Sequence, residues 1–334
     1  MRITLYAKTC EFAGASLLAA ALEKLSSGVV ALVYHFPEPY RFQDKFPKAI
    51  RVTSNPSRSM KYIKRADWIL LMGAPAVRSF VDQLPKHAAW KGQGLPPVCQ
   101  LLKEKRIACF ATGSQWHMEG KAVLKDCRHI YNRAGRVFFA MPNLLTRVGL
   151  EPLIPYYQPI TPVEVEKPKC ILLSHSPGAK LSEDSKGTSK LIQVFKRICE
   201  KYPGSSYEIL TGLTNAECVR ARARSHIFVD QLPIPTPDYV SPGVGGIGKS
   251  GLEAMACGCV TITSAGSLPT GSRFPPPPVL IAQTEEEVFQ TIDRLVQNPE
   301  ELRCIGAEQK EWAQQYVSPE FVAKHVVQTL EAYS

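Results

Sequence analysis

Residues 243–263, GVGGIGKSGLEAMACGCVTIT, form the stretch best equipped for chemistry. A glycine-rich loop runs into a helix predicted to open near Ser250, and a buried-type strand follows. Glycines let a ligand approach the backbone closely. A helix N-terminus offers N–H groups without intrahelical acceptors and a partial positive charge, which suits a diphosphate. Gly248, Lys249, Ser250 and Gly251 would form that cradle, with Lys249 as a mobile cation. Glu253 lies one turn into the helix, where a carboxylate can accept two hydroxyl hydrogen bonds, as from a ribose. The loop is neither a Walker A sequence nor a GxGxxG after a first strand, so a structural turn with capping also accounts for the bare pattern.

Cations supply a second kind of chemistry. Arg58, Lys61 and Arg65 are spaced i, i+3, i+7 and fall within about 60° on one helical face. Lys121, Lys125 and Arg128 fall equally close. Such stripes can track phosphates, although a solvated face is the usual explanation of one stripe. Residues 1–160 carry an excess of 13 positive charges and the remainder an excess of 3 negative ones, within a net charge of +10. The split assigns an anionic partner to the first half. His117, on a loop after a predicted strand, is a candidate acid/base or sugar ligand. His175, at a strand end, is a candidate donor contact.

The elements that must position these residues follow from hydrophobic patterning. The chain has 334 residues, 45% hydrophobic and 21% charged, which argues against a disordered or fibrous protein and suggests about two domains. Strands are predicted at 2–7, 29–34, 68–72 and 106–111, with helices at 14–25 and near 76–83. Five prolines then interrupt residues 151–169, the best candidate boundary. The alternation restarts with strands at 170–174, 207–210, 226–229, 260–263 and 279–282 and a helix at 188–200. Thr284, Asn298 and Ser318 are predicted to cap three closing helices. Alternating strands and helices imply parallel sheets with right-handed crossovers, and ligands at the carboxyl ends of their strands. The ten cysteines include no CxxC pair, which argues against zinc and for free thiols in a reducing, cytoplasmic setting. Residues 12–22 read as a core helix rather than a signal segment.

The order of these motifs resembles the retaining nucleotide-sugar glycosyltransferases of the GT-B fold, the large family with an E-x7-E motif. SGLEAMACGCVTIT carries most of the likeness. Ser174-His175-Ser176-Pro177, Lys186-Gly187-Thr188 and His226-Ile227-Phe228-Val229-Asp230-Gln231-Leu232 extend it upstream. Gly14, Thr112-Gly113-Ser114 and residues 141–145 fit the family's acceptor domain more loosely.

The resemblance implies an α/β fold of two Rossmann-like domains facing a cleft, with the C-terminal helices closing the second. Residues 1–155 would receive the acceptor, 156–168 would link, and 169–334 would bind the donor. It implies Lys186 on the donor phosphates, Glu253 on the ribose, and Gly14 and His175 beside the donor. The first motif glutamate is replaced by Gly245, which leaves the sugar undefined. The expected donor is a UDP- or GDP-sugar with no other cofactor, and the absence of an Asp-x-Asp pair fits a site without metal. Transfer would proceed with retention. The leading acceptor is a hydroxylated base in DNA. An anionic membrane surface carrying a lipid or glycan acceptor is the alternative, and a non-catalytic nucleic-acid-binding protein is a third reading.

Overall fold

The computed structural model describes residues 1–7, 12–26, 28–33, 50–52, 55–83, 100, 104–111, 121–140, 150, 153–177, 186–232, 247–264 and 275–334. The chain divides into two compact units. The first is Met1–Pro159 with Pro319–Ser334, and the second is Ile160–Ser318.

The first unit is built on a seven-stranded parallel sheet. Its strands are β1 (Ile3–Ala7), β2 (Val29–Val33), β3 (Ile50–Arg51), β4 (Trp68–Met72), β5 (Arg106–Ala111), β6 (Val137–Ala140) and β7 (Leu153–Pro155), in the order 3-2-1-4-5-6-7. β4 alternates between two cores, as a strand buried on both faces must. Ile69 and Leu71 pack with Met60 and Ile63 of α2 (Pro56–Arg65), Val77 of α3 (Gly73–Arg78) and Tyr131 of α4 (Lys121–Ala134). Trp68, Leu70 and Met72 pack on the opposite layer with α1 (Phe12–Leu25).

The second unit carries a five-stranded parallel sheet. Its members are β8 (Leu172–His175), β9 (Ser206–Ile209), β10 (Ile227–Val229), β11 (Val260–Thr263) and β12 (Leu280–Ile281), in the order 12-11-10-8-9. Leu173, Ile227, Val229 and Ile262 bury one face against α5 (Thr188–Lys201) and α8 (Glu285–Gln297). Phe228 and Cys259 face the other way, onto α7 (Lys249–Ala256). α6 (Asn215–Arg224) starts with a reciprocal capping box between Thr214 and Glu217. α9 (Pro299–Tyr316) places Gln309 in the interior, where its Oε1 accepts from Thr261 N at 2.7 Å.

One expectation changes. The last helix, α10 (Pro319–Ala332), packs on the first unit rather than closing the second. Its stripe of Val322, Ala323, Val326 and Leu330 meets the small-residue face of α1, with Ala15, Leu18, Ala19 and Leu22. Lys24 pairs with Glu320 at 3.1 Å, and Trp68 Nε1 donates to Ser334 Oγ at 3.2 Å. The proline-rich stretch also contains a strand, β7, and the chain passes to the second unit after Pro159, inside the span 156–168 expected to link the two. Moving α10 leaves the charge split intact, because residues 319–334 hold Lys324 against Glu320 and Glu331. The first unit keeps a formal +12 and the second −2. Among the described residues, no helix is long and apolar enough to cross a membrane.

Candidate functional site

In the second sheet the chain runs outward from β8 to β9 and then returns to β10 on the other side of β8. At such a switch point the carboxyl ends of the two central strands open a crevice. Here they deliver Ser176, just after β8, and Asp230, just after β10. Asp230 is fully buried. Its Oδ2 accepts from Gly248 N at 2.7 Å, and its Oδ1 accepts from Ser250 Oγ at 2.9 Å and Lys186 Nζ at 3.1 Å. Lys186 Nζ also lies 3.1 Å from Ser250 Oγ. Burial pushes the Asp230 carboxyl up, but Lys186, Gly248 N–H and Ser250 together hold it below the ordinary value.

Glycines make this arrangement possible. Gly187 has φ +71°, and a Cβ there would lie 2.9 Å from both Cβ and the carbonyl oxygen of Leu232. Leu232 N donates to Lys186 O at 3.0 Å, which fixes the turn that carries the lysine. A Cβ at Gly248 would lie 3.0 Å from Asp230 Oδ2, and one at Gly251 would lie 2.6 Å from Ile247 Cγ1. Gly248, expected to admit a ligand, therefore first admits the chain's own carboxylate at the start of α7.

One turn into α7, Glu253 is buried against Arg222 of α6, with side chains 7% and 6% exposed. Arg222 Nη2 donates to Ser176 Oγ at 2.9 Å, and Lys249 Nζ lies 3.6 Å from Glu253 Oε1. One Glu253 oxygen is thus committed to the interior, and the other faces the half-buried lysine. Lys186, Gly248, Lys249, Ser250, Gly251 and Glu253, all expected from the sequence, are brought into one neighbourhood at the carboxyl edge of the sheet. Asp230, Arg222 and Ser176 complete it. The sequence offered Asp230 and Ser176 only inside longer segments, and it offered no local signal for Arg222, which lies 31 positions from its partner.

The other candidates lie elsewhere. His175 is fully buried, with Nδ1 at 2.8 Å from Val229 O and Nε2 at 2.9 Å from Thr188 Oγ1. The carbonyl requires a donor, so Nδ1 carries hydrogen and Nε2 accepts from the hydroxyl. The ring therefore ties β8 to β10 and to the start of α5, a structural position in place of the expected ligand contact. Gly14 belongs to the first unit, in α1, where a Cβ would lie 3.1 Å from Gln158 Oε1. Arg58, Lys61 and Arg65 are all exposed on α2, as are Lys125 and Arg128 on α4. Both helices belong to the same layer of the first sheet, so the two stripes share one side of that unit. Lys121 lies in α4, but its side chain is outside the described residues, as are His117, Gly245, residues 112–114 and residues 141–145. The eight described cysteines are free thiols.

Two Rossmann-like parallel sheets, with the polar cluster at the switch point of the second, define a GT-B architecture. No family model matches the sequence, and no curated protein does. Solved structures do resemble it in fold. Anabaena HepE in complex with UDP and glucose aligns with TM-score 0.65 and 11% identity, covering 99% of this chain and 100% of that one. Sucrose-phosphate synthase from Thermosynechococcus elongatus aligns with TM-score 0.60 and 13% identity over 100% of both chains. A putative UDP-N-acetylglucosamine 2-epimerase from Listeria monocytogenes aligns with TM-score 0.57 and 12% identity, covering 99% and 96%.

Proposed function

We propose that the protein is a glycosyltransferase that takes its sugar from a nucleoside-diphosphate sugar. The observation that carries this reading is the convergence of Lys186, the first turn of α7 and Glu253 at the carboxyl edge of one sheet. The leaving group of such a reaction is a nucleoside diphosphate, whose growing negative charge needs pre-positioned donors. Lys186 is held over Ser250 by Asp230 and can turn from that carboxylate to a phosphate. The N–H groups at the start of α7 add a fixed positive end. These groups supply the positive charge that a metal would otherwise bring, so the reading is metal-independent. Glu253, steadied by Arg222, offers its second oxygen to ribose hydroxyls. No paired carboxylates of the glycosidase type are assigned, and retention would proceed without a protein nucleophile.

The fold neighbours that carry UDP or UDP-glucose support a uridine nucleotide, with GDP as the alternative. The acceptor reading rests on charge. The exposed stripes on α2 and α4 and the formal +12 of the first unit favour an anionic acceptor, with a hydroxylated base in DNA leading. Such a base must leave the stack to react. Gel shift with DNA, set against co-sedimentation with anionic vesicles, separates this from a membrane acceptor.

A thermal-shift screen of UDP-, GDP- and other nucleoside-diphosphate sugars tests the donor. A true donor at about 100 times its Kd stabilises the fold by roughly 2.7 kcal/mol. The same donor should release free sugar and nucleotide slowly without acceptor. A product epimerised at the sugar would favour the second reading, raised by the epimerase-like fold neighbour. No shift with any nucleotide removes the proposal.

A further inference from the structure

We propose that the second unit carries another small-molecule site, at the amino edge of its sheet, built for an organic anion with an apolar body. A cavity of about 750 Å³ opens there, bounded by Ile171, His226 and Gly258, which immediately precede or lie close before β8, β10 and β11. That volume falls within the roughly 300–1,000 Å³ usual for small-molecule pockets. Doubly wound sheets place their nucleotide at the opposite, carboxyl edge. The cavity is therefore separate from the Lys186–Glu253 cluster and does not depend on the transferase reading.

The lining joins apolar walls to hydrogen-bond donors. Val165, Ile171, Val296 and Leu302 contribute hydrocarbon surface. Lys167 Nζ donates to Ser225 O and Gly258 O, both at 2.8 Å, which leaves one of the three ammonium N–H groups for an occupant. His226 Nδ1 accepts from Leu172 N at 3.2 Å, so the ring is held as the neutral tautomer with Nε2–H as its remaining polar group. Of the other lining cations, Lys310 pairs with Glu164 at 2.9 Å and Arg303 pairs with Glu300 at 2.6 Å. The described ion pairs leave Lys167 and Lys169 without a carboxylate. A net positive, donor-rich cavity thus sits in a unit whose formal charge is −2.

The shape is maintained by α9. A Cβ at Gly306 would lie 3.1 Å from Gly258 O, so glycine allows this helix to close against the strand entrance. Ala307, next along the helix, is small and exposed and leaves the opening clear. Cationic donors beside hydrocarbon walls select a carboxylate or a similar anion attached to an apolar group, and they discriminate against its neutral counterpart, which cannot make a charge-assisted hydrogen bond to the ammonium groups.

Calorimetric titration of the full chain with 2-naphthoate and with the neutral 2-naphthamide tests this. The naphthoate is expected to bind at least tenfold more tightly than the amide. Ala307→Trp, which fills the opening from an exposed position, should weaken the naphthoate at least tenfold. Lys169→Met should weaken it at least threefold, and saturating UDP should leave it unchanged. No saturable binding, equal affinity for acid and amide, full binding by Ala307→Trp, or displacement by UDP would each overturn the site.

Discussion

Arg222 and Glu253 meet in the interior from two neighbouring helices, and each keeps less than a tenth of its side chain exposed. A buried pair of this kind is costly to break from one side, because the survivor is left as an uncompensated charge. Arg222→Met is expected to lower stability by about 3–5 kcal/mol. The double change Arg222→Met with Glu253→Met should recover most of that loss. Urea unfolding followed by circular dichroism checks both. A single variant as stable as the parent would show that the pair is not held as described.

The Gly187 turn makes a steric prediction. Gly187→Ala must accept both a positive φ and contact with Leu232, whereas Gly212, at a similar φ of +68°, has open space around a built Cβ. Gly212→Ala carries the backbone strain alone, and Gly187→Ala adds overpacking of about 1–3 kcal/mol. Equal losses in the two variants would refute the close approach of Leu232.

His226 gives the second unit a pH signature. Burial first, then Lys167, lowers its value from the ordinary 6.5 to about 4. Above pH 6.5 the ring is neutral in both folded and unfolded chains and contributes no slope. As pH falls from 6.5 towards 4, the unfolded chain takes up a proton that the folded chain refuses, so stability falls. Near pH 5 unfolding should take up close to one proton at this position, and His226→Gln should remove that slope. Stability curves of equal slope for the two proteins between pH 7 and 5 would contradict the assignment.

For the acceptor, about five phosphate contacts imply a log–log salt slope near −4.5. Replacing Arg58, Lys61 and Arg65 by Gln should reduce the magnitude of that slope by roughly 2.7. Fluorescence anisotropy with a short duplex, repeated across salt, measures it. A flat response would sink the nucleic-acid reading.

β4, β5 and β11 lie at their predicted bounds because strands buried on both faces carry apolar or β-branched residues at successive positions between turns. β7 was hidden because Pro155 resembles linker. It is tolerated at the end of an edge strand, which among the described residues pairs only with β6. The start of α10 was legible at Ser318-Pro319, but a periodic stripe states that a helix buries one face and is silent on which unit receives it. In the site, Ser250 and Glu253 stood out through local motif chemistry, and Lys186 through the family resemblance alone. The buried partners that hold them, Asp230 and Arg222, depend on contacts across the sheet and between helices, which no local spacing encodes.

The central claim, that the carboxyl edge of the second sheet binds a nucleoside diphosphate through Lys186, is tested most directly by calorimetric titration with UDP, GDP and their nucleosides. Lys186→Met alone strands the buried Asp230 carboxylate, so the decisive protein is Lys186→Met with Asp230→Asn, compared with Asp230→Asn by itself. The account predicts that UDP or GDP binds Asp230→Asn and loses at least tenfold in affinity when Lys186 is removed, while the nucleoside changes by less than twofold. A diphosphate that binds the double variant as tightly as Asp230→Asn would contradict it.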